Sequence, residues 1–89
     1  MALQEEFHNY YEKLVVADLQ DRFSDQAELS PLFADIACVA LNHLPPRYIH
    51  YDIDMAYYLS PEEKKEMDDK VSLAVNQAVD FVASKKREA

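Results

Sequence analysis

The sequence predicts an all-α fold: a small bundle of about three long helices, with an extended Pro-Pro-Arg-Tyr segment between the second and third. Three observations carry that expectation. Glycine is absent, and tight hairpins and phosphate loops lean on glycine for positive φ. Two Ser-Pro pairs, Ser30-Pro31 and Ser60-Pro61, stand where helices would begin. Apolar residues recur at helical spacing over three stretches. The 89 residues make one domain, 1–89, with a modest core.

The first helix is expected from about Leu3 to Phe23. Leu3, Phe7, Tyr10, Leu14 and Ala17 fall on one stripe, and Tyr11, Val15 and Leu19 widen it. Glu5 and Glu6 would then sit in the opening turn, where the helix dipole favours negative charge. The polar stretch Ser24 to Ser30 reads as a turn. Ser30 is the expected N-cap of the second helix, with Pro31 at its first position. From Leu32 to Leu44 that helix is apolar on nearly every side. A helix so apolar must be surrounded, and a packed or intertwined homodimer is expected to cover what one chain leaves open.

Pro45 and Pro46 stop the second helix and impose an extended path. Ile49, Tyr51 and Ile53 alternate with His50, Asp52 and Asp54, so residues 47–59 read as extended or strand-like with one packed face. The third helix opens on a capping box, Ser60-Pro61-Glu62-Glu63. Met67, Val71, Ala74, Ala78 and Phe81 form its stripe, beside Val75, Val79 and Val82. Lys85, Lys86 and Arg87 suit its negative end.

The net charge of −8 argues against DNA, RNA and anionic membranes as partners, since those need clustered cations. It leaves room for a small anion held by one or two arginines. The single cysteine, Cys38, can build neither an intramolecular disulfide nor a Cys-based zinc site, and its apolar run suggests a buried structural role. The N-terminus lacks a basic start and an apolar stretch, and no run reaches membrane-spanning length, so a cytoplasmic location is expected.

No Ser/His/Asp or Cys/His order advertises an activated nucleophile, so binding is expected rather than catalysis. His50, Asp52 and Asp54 read as a solvated face, not a metal site. Tyr48, Tyr51, Tyr57 and Tyr58 read mostly as core or interface, with one or two free to stack on a ligand. The double proline presets Arg47 and Tyr48. A preset guanidinium can bind phosphate bidentately, and a preset ring can stack, at low ordering cost. The plainer alternative is that Asn42 caps backbone, Tyr48 is core and Arg47 pairs with a carboxylate.

The run Asp35-Ile-Ala-Cys-Val-Ala-Leu-Asn-His-Leu-Pro-Pro-Arg-Tyr48 resembles the signature of the ComFB-like family, the late competence development proteins. Asn9-Tyr-Tyr-Glu12-Lys-Leu14-Val15 is similar to that family's opening Asn-x-x-Glu motif. Together these cover about the first two-thirds of the chain. The resemblance implies a small all-helical dimer without catalytic activity. It also implies a regulatory receptor for cyclic di-GMP or cyclic di-AMP, linked to competence, type IV pili or motility. On the matching positions it nominates Asn9, Glu12, Asn42, Pro46, Arg47 and Tyr48, with Tyr51 as a further stacking candidate. Arg47, Lys13 and Arg22 are expected to form the positive pocket. Some members bind zinc through cysteines between the first two helices; residues 21–30 have none, so no metal or cofactor is expected. A downstream protein is a further expected partner. The alternative is a protein-interaction adaptor of the same fold that binds no nucleotide.

Overall fold

The structure is a computed structural model that describes the backbone of residues 2–88 and the side chains of residues 2–85. It is mostly helical, with one small antiparallel ladder. A 3-10 turn (Leu3–Glu5) leads to strand β1 (His8–Asn9) and helix α1 (Tyr10–Phe23). A second 3-10 turn (Ser30–Leu32) leads to α2 (Phe33–Asn42). Strand β2 (Tyr48–Ile49), a short helix α3 (Asp52–Tyr58) and α4 (Pro61–Glu88) complete the chain. Only α4 is long: its 28 residues, at about 1.5 Å per residue, match the 43 Å longest dimension of the molecule. The expected three long helices are therefore one long, two medium and one short.

The first helix starts seven residues later than its spacing suggests. Asn9 is extended (φ −81°, ψ 117°), and its side chain accepts a hydrogen bond from the Tyr11 N–H, which makes it the N-cap. Leu3 and Phe7, which set the phase of the expected stripe, lie outside the helix and are exposed. The buried row is therefore Tyr11, Val15 and Leu19, one position round from the row anchored on Leu3. The second helix also starts differently. Ser30 belongs to a 3-10 turn whose carbonyl accepts the Phe33 N–H, and no side chain caps α2.

Helices α1, α2 and α4 share one core. Ile36, Val15 and Val75 are its largest fully buried side chains, and the equally buried Ala40 and Ala78 let the helices approach closely. On α4, Met67, Val71, Ala74 and Ala78 are buried as expected, but Phe81 is 51 % exposed. Cys38, expected inside, is exposed. The capping box holds: Ser60 Oγ accepts the Glu63 N–H at 3.1 Å, and the Ser60 N–H reaches Glu63 Oε1 at 3.4 Å. The expected cationic end of this helix is only partly described, because the side chains of Lys86 and Arg87 lie outside the described residues.

The segment after Pro46 is only briefly extended. Tyr48 and Ile49 pair with Asn9 and His8, and from Asp52 the chain turns helical. Asp52 and Asp54 occupy the first turn of α3, where its dipole favours them. The helix is held to the core through buried Met55. Of the core or interface placement expected for most of the tyrosine cluster, the core is excluded: Tyr48, Tyr51, Tyr57 and Tyr58 are all exposed.

Candidate functional site

The junction after α2 is a ridge with a groove on each side. At the end of α2 the His43 and Leu44 N–H groups fold back onto the carbonyls of Ala40 and Leu41. His43 Nδ1 lies 2.8 Å from the Val39 carbonyl. Buried Leu44 then anchors the chain, and Pro45 and Pro46 carry it outward. Asn9 fixes where it goes. Its Oδ1 accepts two backbone N–H groups, from Tyr11 at 3.1 Å and from Arg47 at 3.0 Å. The Tyr10 N–H reaches the Arg47 carbonyl at 2.7 Å. One buried amide thus ties the start of α1 to the proline strand.

That tie sends successive side chains to opposite sides, as in any extended segment. Tyr48 faces one groove, with Asn9, Glu12, Leu41, Asn42 and Pro46 among its walls and a volume of about 520 Å³. Arg47 faces another of about 230 Å³, bounded by Tyr11, Pro46, Glu63, Glu66 and Lys70 among others. Pro46 lines both. Five of the seven residues nominated from the sequence, Asn9, Glu12, Asn42, Pro46 and Tyr48, therefore meet in one groove. Arg47 stands across the ridge. Tyr51 lines neither groove; its ring stacks on His50 at 3.9 Å.

The electrostatics of the two grooves differ. Glu12 and Asn42 are exposed and bond to no described side chain, so their polar atoms are free for a ligand. In the second groove, Arg47 and Lys70 make no ion pair with any described residue. Burial pushes the Tyr11 phenol up, and the nearby Arg47 charge partly offsets this, so the hydroxyl stays protonated at neutral pH. The expected positive pocket of Arg47, Lys13 and Arg22 does not form. Lys13 reaches Asp52 at 3.4 Å. Arg22 is gripped by Asp18 at 2.9 and 2.6 Å and donates to the Ser72 carbonyl. The cation that shares the groove of Arg47 is Lys70, which sequence reasoning missed among the solvated charges of α4.

Asp52 fastens α3 to the start of the chain. His8 Nε2 lies 2.7 Å from Asp52 Oδ1, and Lys13 Nζ approaches Oδ2. The hydrogen bond from His8 holds the Asp52 carboxyl below its ordinary range against the opposing effect of desolvation, with lesser help from Lys13. A carboxyl more acidic folded than unfolded stabilises the fold above the unfolded value and loses that contribution as pH falls through its range. We expect Asp52→Asn to flatten the acid side of the melting temperature against pH, below about pH 4, and an unaltered acid limb would refute the role. The extended acidic face expected of His50, Asp52 and Asp54 is replaced by this ion pair and a helix turn. Among the described residues, no three His, Cys, Asp or Glu side chains group as metal ligands.

The family model of the late competence development protein ComFB matches residues 8–86. The chain belongs to the ComFB family. No curated protein and no solved structure matches it. The ComFB match spans both strands, α1 to α3 and nearly all of α4, so both grooves lie inside it. Asn9, whose family-like motif is Asn9-x-x-Glu12, acts in this ComFB chain as a structural tie through its Oδ1, while Glu12 is left to the groove.

Proposed function

We propose that this ComFB-family protein is a non-catalytic cytoplasmic regulator that binds a cyclic dinucleotide as a homodimer, in the control of competence, type IV pili or motility. The observation that carries the proposal is the meeting of Glu12, Asn42 and Tyr48 in one open groove, with Arg47 and Lys70 just across Pro46. The exposed Tyr48 ring gives a base a face to stack on. The Asn42 amide offers one donor group and one acceptor to a base edge. Glu12, an acceptor only, suits guanine, whose adjacent N1–H and N2–H groups can both donate to one carboxylate. Adenine turns a ring-nitrogen acceptor toward the same carboxylate, which disfavours it. Phosphates crossing the ridge meet Arg47 and Lys70, two cations without a competing ion pair among the described residues. Cyclic di-GMP is therefore the preferred ligand.

Calorimetric titration with cyclic di-GMP and cyclic di-AMP, with GTP and ATP as controls, tests this. Saturable binding is expected, strongest for cyclic di-GMP. Glu12→Gln should weaken it by about ten- to a hundredfold, the worth of a hydrogen bond to a charged group. Arg47→Glu should abolish it while the helical circular dichroism stays unchanged. Full affinity in Arg47→Glu would remove Arg47 from the site. No heat with either ligand would favour the adaptor reading, which the exposed Ile53, Tyr57 and Tyr58 on α3 support.

A further inference from the structure

We propose that the outer face of α3 docks a partner protein through a basic amphipathic segment, one that sets Lys or Arg beside aliphatic side chains. The inference does not depend on which ligand fills the two grooves, because no residue of α3 lines either of them. Of the seven residues of α3, only Met55 is buried. Residues two apart on a helix point to nearly opposite sides, so Ile53 and Tyr57 are turned away from the core. They are four apart and stand side by side. Ile53 is 63 % exposed, Tyr57 79 % and Tyr58 75 %. So short a helix is marginal by itself, and this one leaves three large apolar side chains in water for the one it buries. Clustered apolar exposure marks an interaction surface, and tyrosine is enriched at such surfaces. The face is also held in place. Asp52 meets His8 at 2.7 Å at one end. At the other, half-buried Leu59 packs on the core and its N–H reaches the Met55 carbonyl. A surface already ordered costs little to bind.

Charge decides what covers it. The helix carries Asp52 and Asp54 and no cation of its own. His8 and Lys13 already match Asp52. Asp54 lies one turn before Tyr58 on the flank of the apolar face, half-buried, and makes no ion pair with any described residue. The whole chain adds a net charge of −8. An acidic segment, a nucleic acid or an anionic membrane would therefore meet like charge here. Two α3 faces brought together would likewise oppose acid to acid. A basic amphipathic segment meets both needs at once: its apolar side covers Ile53 and Tyr57, and its cation reaches the Asp54 carboxylate.

Fluorescence anisotropy with the full chain tests the inference. The probes are two labelled amphipathic helical peptides of one pattern, the first built of leucine and lysine, the second of leucine and glutamate. The lysine peptide should bind saturably and the glutamate peptide should not. Ile53→Lys should weaken the lysine peptide by about tenfold or more. Leu73→Lys makes the same charge change at an exposed apolar position of α4 and should leave the affinity unchanged, which separates this face from net charge. Asp54→Lys should weaken the lysine peptide and strengthen the glutamate peptide, a gain that a folding defect would not produce. No binding of the lysine peptide, or equal losses in Ile53→Lys and Leu73→Lys, overturns the assignment. Sedimentation equilibrium of Tyr57→Ala gives a second check. Self-association unchanged from wild type is expected; a shift would give the face to another copy of the chain and overturn the proposal. None of these measurements contains a cyclic dinucleotide, so their failure leaves the receptor reading to its own titration.

Discussion

Asn9→Ala is expected to lower the melting temperature by about 15 °C. Losing an N-cap costs about 1 kcal/mol. The Arg47 N–H, partly buried, also loses its acceptor, and an unsatisfied donor costs about 1–3 kcal/mol more. In a domain of this size each kcal/mol moves the midpoint by roughly 4–8 °C. Asn9→Asp keeps an oxygen in the same place and should recover most of the loss. The same pair of variants separates a structural tie from a ligand contact. If Asn9→Ala melts within about 2 °C of wild type and instead loses ligand affinity, then the amide serves the ligand and not the fold.

Ile36→Ala is expected to cost about 2–5 kcal/mol, the range for deleting a large aliphatic side chain from a closed core. Ile36 is fully buried in the core that α1, α2 and α4 share, so no surface movement can fill the gap. An 89-residue domain has roughly 4–13 kcal/mol of stability in all, so the variant stands close to unfolding. Cys38→Ala, two residues along the same helix but exposed, should stay within about 0.5 kcal/mol in dilute solution. Urea denaturation of the three proteins provides the measurement. Equal midpoints for Ile36→Ala and Cys38→Ala would mean the core does not lie where α2 meets α1 and α4.

Much of this was legible in the sequence, for stated physical reasons. Ser60-Pro61-Glu62-Glu63 announces α4 because capping is local: it needs only the residues of one turn. The stop at Pro45-Pro46 is local in the same sense. The spacing places the start of α1 too early because Leu3 and Phe7 happen to continue the helical pattern. The correct signal was Asn9-x-x-Glu12, an N-cap residue followed three later by an acid. The pattern of α3 reads as a strand because seven residues are too few for a 3.6 period to outvote a chance alternation. Its better signal was Asp52 and Asp54, two acids within one turn.

The candidate site divides along the same line. Asn42, Arg47 and Tyr48 could be named from a continuous stretch of chain. That Tyr48 and Arg47 face different grooves follows from the ladder with β1, a long-range fact. The pairing of Arg47 with Lys70 depends on how α4 crosses the proline ridge, and no local pattern in α4 distinguishes Lys70 from its solvated neighbours Lys64 and Lys65, which pair with Asp68 and Asp69.

The bond from Asn9 to Arg47 spans 38 positions in sequence. Closing so long a loop costs entropy before any contact repays it, so we expect the tie to form late, after α1 and α2 have docked, and Asn9→Ala to speed unfolding while leaving the folding rate nearly unchanged. An interaction absent from the transition state acts on the escape rate and leaves the folding rate nearly alone. Asn9 therefore works as a latch: it contributes little to how fast the chain finds its shape, and much to how long the proline ridge, and the two grooves it divides, stay assembled.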